Sequence, residues 1–379
     1  MKMRYRKFGK TGLEVSALGF GCMRLPVIDN DPGRIDLAEA TRMIRHAIEH
    51  GVNYVDTAWP YHSEKGEEAV GAALADGYRD KVYLATKSPV WLVKEPGDFD
   101  KYLNLQLDRL KTEYIDFYLI HALTRERWHH CRDNQVFDFI RRAKADGRIR
   151  HIGFSFHDKL EAFKEIVDDY DWEFCQIQYN YMNENYQAGK EGLHYAAAKG
   201  LPVIIMEPLL GGRLARTGPE LQKIWDGAPV QRTPVEWALR WLWNQPEVTL
   251  VLSGMSAMEH VEENLRIAGE AQANSLTDEE LAVIERVKEF YLARTKVDCT
   301  GCDYCAECPG NVRISAIFEY YNDAFMYDEH EATKRWYKRV MERENDWSRC
   351  TDCGQCEELC PQHLEIRRHL EEFHQAFSK

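Results

Sequence analysis

Basic residues are in short supply. The chain carries 49 lysines and arginines against 62 aspartates and glutamates, a formal net charge of −13. A nucleic-acid binder needs a basic patch or stripe, and this balance argues against one. Long apolar runs are missing too. No stretch reaches the roughly 18 apolar residues of a membrane-spanning helix, so no membrane span is expected. The N-terminus, MKMRYRKFGKTGLEVSALGFG, is charged and lacks the extended apolar core of a secretory leader. A cytoplasmic protein is the expectation. Cysteine is nearly absent from the first 298 residues, where only Cys22, Cys131 and Cys175 occur. The other eight cysteines fall in a short C-terminal stretch, and in a reducing compartment such clustering reads as metal or iron–sulfur ligation rather than disulfides.

The 379 residues, 44% of them apolar, allow a sizeable core. Apolar strand candidates run from Ala17–Phe20 to Val248–Leu252 and alternate with helical patterns from Leu37–His50 to Ala257–Gly269. Eight such strand–helix units predict an α/β fold of the (β/α)8 TIM-barrel type. The rival is a doubly wound open sheet. Against it, GFGCMRL has Gly19 and Gly21 but no third glycine to complete a dinucleotide fingerprint. Met3–Phe8 and Leu13–Ser16 are expected to form a hairpin plugging the barrel bottom. The polar stretch GEAQANSLTDEE marks a break, with Ser275 or Thr277 as helix cap. Residues 1–272 are expected to be the barrel, 273–298 a linking helix, and 299–379 a small, mostly helical unit.

Barrel enzymes place their chemistry at the C-terminal ends of strands. VNYVDTAWPYH puts Asp56 at one strand end and Tyr61 in the loop behind it. LATK puts Lys87 at the next, and LIHAL puts His121 at the one after. Singly, Tyr61 reads as packing and His121 as a satisfied core residue, but a barrel brings all four to one mouth. A tyrosine, with an ordinary pKa of ~10, exchanges protons poorly near neutrality unless an ammonium favours its phenolate. Lys87 supplies that ammonium, Asp56 pairs with it, and His121 donates a hydrogen bond to a carbonyl oxygen.

These motifs, in this order, resemble those of the aldo/keto reductases over about residues 3–270. The resemblance makes Tyr61 the general acid/base for interconverting a carbonyl and an alcohol, with NADPH or NADH as cofactor. It matches Ser155 and Gln176 to the positions that anchor the nicotinamide amide, Met206 to an aromatic that stacks on the ring, and Glu263 and Asn264 to adenine contacts. Gly254 and His260 match the usual basic residues for a 2′-phosphate, and Phe156 stands where the family has asparagine. Helix amides near Ser256 would suit a phosphate. Glu207 adds a carboxylate near the mouth. Trp59, Trp91, Trp128 and Trp225 lie in candidate mouth loops.

The second cysteine run, Cys350, Cys353, Cys356 and Cys360 followed by proline, has the spacing of a bacterial 4Fe-4S ferredoxin. The first, Cys299, Cys302, Cys305 and Cys308, is one residue shorter before its last cysteine. Crossed ligation is expected: Cys299, Cys302 and Cys305 with Cys360 on one cluster, and Cys350, Cys353 and Cys356 with Cys308 on the other. Structural zinc is the rival. This portion resembles dicluster ferredoxin-type domains, and the whole chain the aldo/keto reductase branch that carries one. Its partners would be a small carbonyl or alcohol and a protein electron donor or acceptor. Two alternatives stay open: an iron–sulfur reductase fed by a non-nicotinamide cofactor or protein donor, and a barrel that is only a scaffold.

Overall fold

The computed structural model describes residues 2–299, 301, 305–360 and 362–379. Cys302 lies outside the described residues. Two compact units are present: one runs through Leu209 and adds Val235–Leu276, the other comprises Leu210–Pro234 and Thr277–Lys379.

In the first unit a short antiparallel hairpin, β1 (Tyr5–Lys7) and β2 (Glu14–Ser16), precedes eight parallel strands. These are β3 (Leu18–Gly21), β4 (Tyr54–Asp56), β5 (Tyr83–Ser88), β6 (Ile115–Leu123), β7 (Ile149–Phe156), β8 (Phe174–Gln178), β9 (Val203–Met206) and β10 (Val248–Gly254). They pair in chain order and close where β10 meets β3. The open-sheet rival is thereby excluded. Most strand residues are buried, as expected where helices cover the outer face and side chains fill the inside. The predicted plug exists. Phe8, just past β1, is fully buried, its ring 4.7 Å from Phe117 and 5.6 Å from Phe174, within the cluster that includes Tyr54, Ile204 and Leu250.

Helices form where the apolar period calls for them. Leu37–Glu49 buries Ala40, Met43, Ile44, Ala47 and Ile48, one stripe at three- and four-residue spacing. Asp36 caps it by accepting from the Glu39 amide at 3.1 Å. Gly51, at φ 99°, ends it in the left-handed region, and a Cβ there would lie 2.7 Å from Met3 Cβ.

The second unit also builds on local signals. Thr277 and Glu280 form a capping box at the start of Asp278–Leu292: the Thr277 hydroxyl accepts from the Glu280 amide, and Glu280 accepts from the Thr277 amide. Three further helices, Ile314–Met326, His330–Glu342 and Ile366–Phe377, share a core of Phe318, Tyr337, Leu370 and Phe373. Tyr321 belongs to it and Phe325 packs against it. Among the described residues no helix is long and apolar enough to cross a membrane.

At the N-terminal end of β8, Glu173 accepts from His151 Nδ1 at 2.8 Å and the Ile152 amide at 3.0 Å, and pairs with Lys144. Burial pushes its carboxyl upward, but these donors outweigh burial and hold it at about 2. The folded pKa is thus below the unfolded one. The contribution is complete above the unfolded value near 4.5 and disappears as pH falls toward about 2. Glu173→Gln is therefore expected to lose on the order of 1–2 kcal/mol at neutral pH and little at pH 2. Denaturant titrations at the two pH values check this; an equal loss at both would contradict it.

Candidate active site

The parallel register sets Asp56, at the end of β4, beside Gly21 of β3 and Ala85 of β5, and Lys87 beside Leu119 of β6. Lys87 is fully buried. Its ammonium donates to Asp56 Oδ1 at 2.6 Å and to the Thr57 carbonyl at 2.7 Å. It lies 5.2 Å from the centre of the Tyr61 ring. The Tyr61 and His121 rings stand edge to face, 6.5 Å between centres. Asp56, Tyr61, Lys87 and His121 thus meet at one end of the barrel.

Their electrostatics follow from burial and that one ammonium. Burial works against the charge on Lys87, but Asp56 and Tyr61 outweigh it and raise its pKa. Tyr61 keeps a partly exposed edge, yet desolvation raises its pKa, with Lys87 pulling the other way. Without cofactor, the phenol therefore keeps its proton more firmly than the ammonium alone would imply. His121 is driven well below the ordinary imidazole value, by burial first and then by Lys87, His157 and Arg127, so the ring is neutral. Its Nδ1 has no partner among the described residues.

A second layer fixes these groups. Behind β5, the Gln106 amide donates to the Lys87 carbonyl at 3.0 Å and to Glu67 Oε1 at 2.6 Å, and accepts from the Tyr118 hydroxyl at 2.8 Å. Thr86 donates to the same Glu67 oxygen at 2.6 Å. The β6–β7 register slips between Ile120 and Leu123, with Ala122 at φ 49°. Such a bulge re-aims the side chain beside it, here His121. It is pinned from both sides: the Ala122 amide donates to Ser155 Oγ at 2.7 Å, and Arg127 donates to the Ala122 carbonyl at 2.9 Å.

The other predicted residues are spread around the strand ends. Ser155 and Gln176 are buried on β7 and β8, and Gln176 Nε2 donates to Met206 Sδ at 3.4 Å. Asn264 is buried in helix Met258–Ala268 and donates to Ser253 Oγ at 3.0 Å. Gln176 Oε1 and Asn264 Oδ1 have no described partner. Glu263 is partly buried, and His260 and Gly254 are exposed. The Arg24 side chain lies 3.4 Å from where a Gly254 Cβ would stand. Glu207, at φ 55°, has its carboxyl pushed up to about 7 by burial, against Arg24.

The tryptophans separate. Trp91 is exposed and 5.2 Å from the His121 ring. Trp59 is buried under the Arg109 guanidinium. Trp128 packs on Trp172 and donates to Asp169, so it is not a mouth residue; Trp225 is buried and belongs to the second unit.

In the second unit a cavity is lined by Cys305, Cys308, Cys350, Cys353 and Cys356. Cys308 is among the charges that raise Cys350 and Cys356, after burial in each case; Cys356 reaches about 11. The two runs make matching bonds: the Gly301 amide donates to Cys299 Sγ and the Asp352 amide to Cys350 Sγ, each at 3.4 Å. Cys360 is buried in the core against which Cys299 and Cys305 pack. Sequence reasoning missed Glu67, Gln106 and the Ala122 bulge. Gln106 did leave a signal, an amide on the apolar face of helix Gly97–Leu110.

Comparison with known proteins bears on this geometry. The aldo/keto reductase family pattern matches residues 17–289 and a 4Fe-4S dicluster domain matches 298–364. The chain belongs to the aldo/keto reductase family and is an oxidoreductase with a ferredoxin-type domain appended to its barrel. It is 29% identical to the uncharacterized oxidoreductase YqkF of Bacillus subtilis, over 75% of this chain and 96% of that one. To the L-galactose dehydrogenase of Arabidopsis thaliana it is 26% identical, over 76% and 95%. Among solved structures, the aldo-keto reductase AKR11C1 of Bacillus halodurans (holo form) matches at TM-score 0.62 and 28% identity, over 75% of this chain and 96% of that one. An aldo-keto reductase of Klebsiella pneumoniae in complex with NADPH matches at 0.58 and 25%, over 76% and 96%.

Breaking the buried ion pair from one side leaves a charge with nothing to offset its desolvation, which costs several kcal/mol. Asp56→Ala is expected to destabilise the barrel by about 3 kcal/mol, and adding Lys87→Met to restore part of the loss. Denaturant titration of the single and double variants decides; a double variant no better than the single one would contradict the pairing.

Proposed function

We propose that the barrel reversibly reduces an aldehyde or ketone to its alcohol with a nicotinamide cofactor, Tyr61 being the proton donor. The observation that carries this is the fully buried Lys87 ammonium, 2.6 Å from Asp56 and 5.2 Å from the Tyr61 ring, with neutral His121 across from the phenol. When bound, the cofactor supplies the hydride. The substrate oxygen sits between Tyr61 and His121, and both donate hydrogen bonds to it. As negative charge develops on that oxygen, Tyr61 passes its proton and becomes phenolate. Lys87 stabilises the phenolate, and Asp56 keeps Lys87 charged and oriented. In the oxidation direction Tyr61 takes the proton back. The raised phenol pKa favours its starting as the acid.

The strand ends suit such a cofactor. The open acceptor on Gln176 fits a carboxamide NH2, and that on Asn264 fits an exocyclic amine. Ser155, its oxygen already accepting from Ala122, still has a hydroxyl hydrogen to give. Helix Met258–Ala268 begins at Ala257 without a side-chain cap, which leaves its first amides to a phosphate. Met206 offers a polarisable thioether in place of an aromatic face. Gly254 and His260 give a 2′-phosphate little charge, and the stem of Arg24 runs beside Gly254.

For the second unit the proposal is two 4Fe-4S clusters, held by Cys350, Cys353, Cys356 and Cys308, and by Cys299, Cys302, Cys305 and Cys360. Cysteines of both runs converging on one cavity suit a shared positive centre, and Cys308 lines that cavity together with Cys350, Cys353 and Cys356. Bound clusters supply one-electron transfer. Cys353 is exposed, which suits exchange with a protein partner.

Tyr61→Phe removes the proton and leaves the remaining contacts. With NADPH and an aromatic aldehyde as probe, kcat is expected to fall by about 10²–10⁴ with cofactor affinity unchanged. A kcat within a few-fold of the native value would refute the assignment.

A further inference from the structure

The residues after Tyr61 adopt a backbone that L-amino acids avoid. His62, Ser63 and Glu64 have φ of 55°, 54° and 66°. There the Cβ crowds the following carbonyl oxygen, so each non-glycine residue held in this region is strained. Three in succession persist only where their surroundings over-determine the turn.

Those surroundings are specific. His62 is 8% exposed, so its ring nitrogens depend on protein partners. The Leu25 amide donates to Nε2 at 3.1 Å, and Nδ1 lies 3.1 Å from the Pro32 carbonyl. A carbonyl only accepts, so Nδ1 carries the hydrogen toward Pro32; an amide only donates, so Nε2 accepts from Leu25, with the Cys22 backbone a further neighbour of the ring. One tautomer of the neutral ring satisfies both. Lys65 ties the end of the turn to the same loop, donating to the Gly33 carbonyl at 3.0 Å. Gly66 closes it against Tyr61: a Cβ there would lie 3.1 Å from both the Tyr61 Cβ and its carbonyl oxygen. The turn is therefore fastened on one side to the 25–33 segment and pressed on the other against the Tyr61 backbone.

We propose that His62 is the positioning residue for Tyr61: its imidazole, in the Nδ1–H tautomer, clamps a left-handed turn to Leu25 and Pro32 and so holds the phenol in reach of Lys87 and His121. The inference rests on the reading of Tyr61 as proton donor. His62 never meets the substrate. Without the clamp, the strain in residues 62–64 drives the turn toward right-handed geometry and carries Tyr61 out of line. The effect belongs to the chemical step rather than to cofactor binding.

The test compares His62→Ala, His62→Gln and Tyr61→Phe in the full-length, cluster-loaded protein, with NADPH and an aromatic aldehyde as probes. His62→Ala is expected to lower kcat 10- to 100-fold while KM for NADPH stays within twofold. His62→Gln, whose side-chain oxygen can still accept from Leu25, should recover part of that loss. A His62→Ala kcat within twofold of native overturns the proposal, as does a loss tracked by a matching rise in KM for NADPH. If Tyr61→Phe alone leaves kcat intact, the proton-donor reading fails, and the clamp is judged separately. That judgement, and the case of an alanine variant that does not fold, rest on ¹⁵N-histidine spectra of the native protein. The signal absent from His62→Gln should show Nδ1 protonated and Nε2 bare at neutral pH; an Nε2–H or rapidly exchanging ring refutes the clamp.

Discussion

An ammonium buried in the wall of a β-barrel is costly, and this site is organised around keeping one there. Lys87 has no exposed surface and would shed its proton if left alone. Asp56 at 2.6 Å and the Thr57 carbonyl at 2.7 Å keep it charged. Both partners lie at the end of β4, the strand next to that of Lys87, so the parallel register of the barrel creates the pair. A buried ion pair is weak evidence for stability, because hydrophobic replacements often do as well. Its retention here makes sense as chemistry: a fixed positive charge beside a phenol and an imidazole.

Around that charge the protein spends other groups on orientation. Glu67, Thr86, Gln106 and Tyr118 form a buried hydrogen-bonded network that ends on the Lys87 carbonyl. The Ala122 bulge aims His121, and the left-handed turn after Tyr61 sets the phenol. Each departs from ideal strand or turn geometry, and each sits within one or two residues of a reacting group. Strain concentrates where the site needs a side chain off the regular path.

The barrel was legible because strands buried on both faces leave continuous apolar runs, and because helices close with signals such as Asp36 and Gly51. Asp56, Lys87 and His121 were legible because strand ends in a barrel share one mouth. Contacts that depend on how loops fold over one another were not. Nothing in the order of residues says that His62 meets Leu25 and Pro32, or that Arg24 lies against Gly254. Trp128 looked like a mouth residue only because loop position was inferred from sequence distance; burial and the Asp169 bond make it packing. Leu210–Pro234, which follows β9, belongs to the compact unit that holds the cysteines, a fact that no local composition signals. In that unit the cysteine spacing was informative because it matches a 4Fe-4S pattern, whereas the meeting of Cys308 with the second run in one cavity is a tertiary fact.

The chain joins a barrel suited to moving two electrons as a hydride to a cysteine-rich unit suited to moving them singly. The proposed chemistry stands or falls with a nicotinamide cofactor in the barrel. The direct measurement is anaerobic calorimetry of NADPH and NADH, each titrated into protein whose iron content is determined on the same sample. Micromolar binding of at least one of them to folded, iron-loaded protein is the expected result. No binding of either would contradict it and turn attention to another cofactor or a protein electron donor.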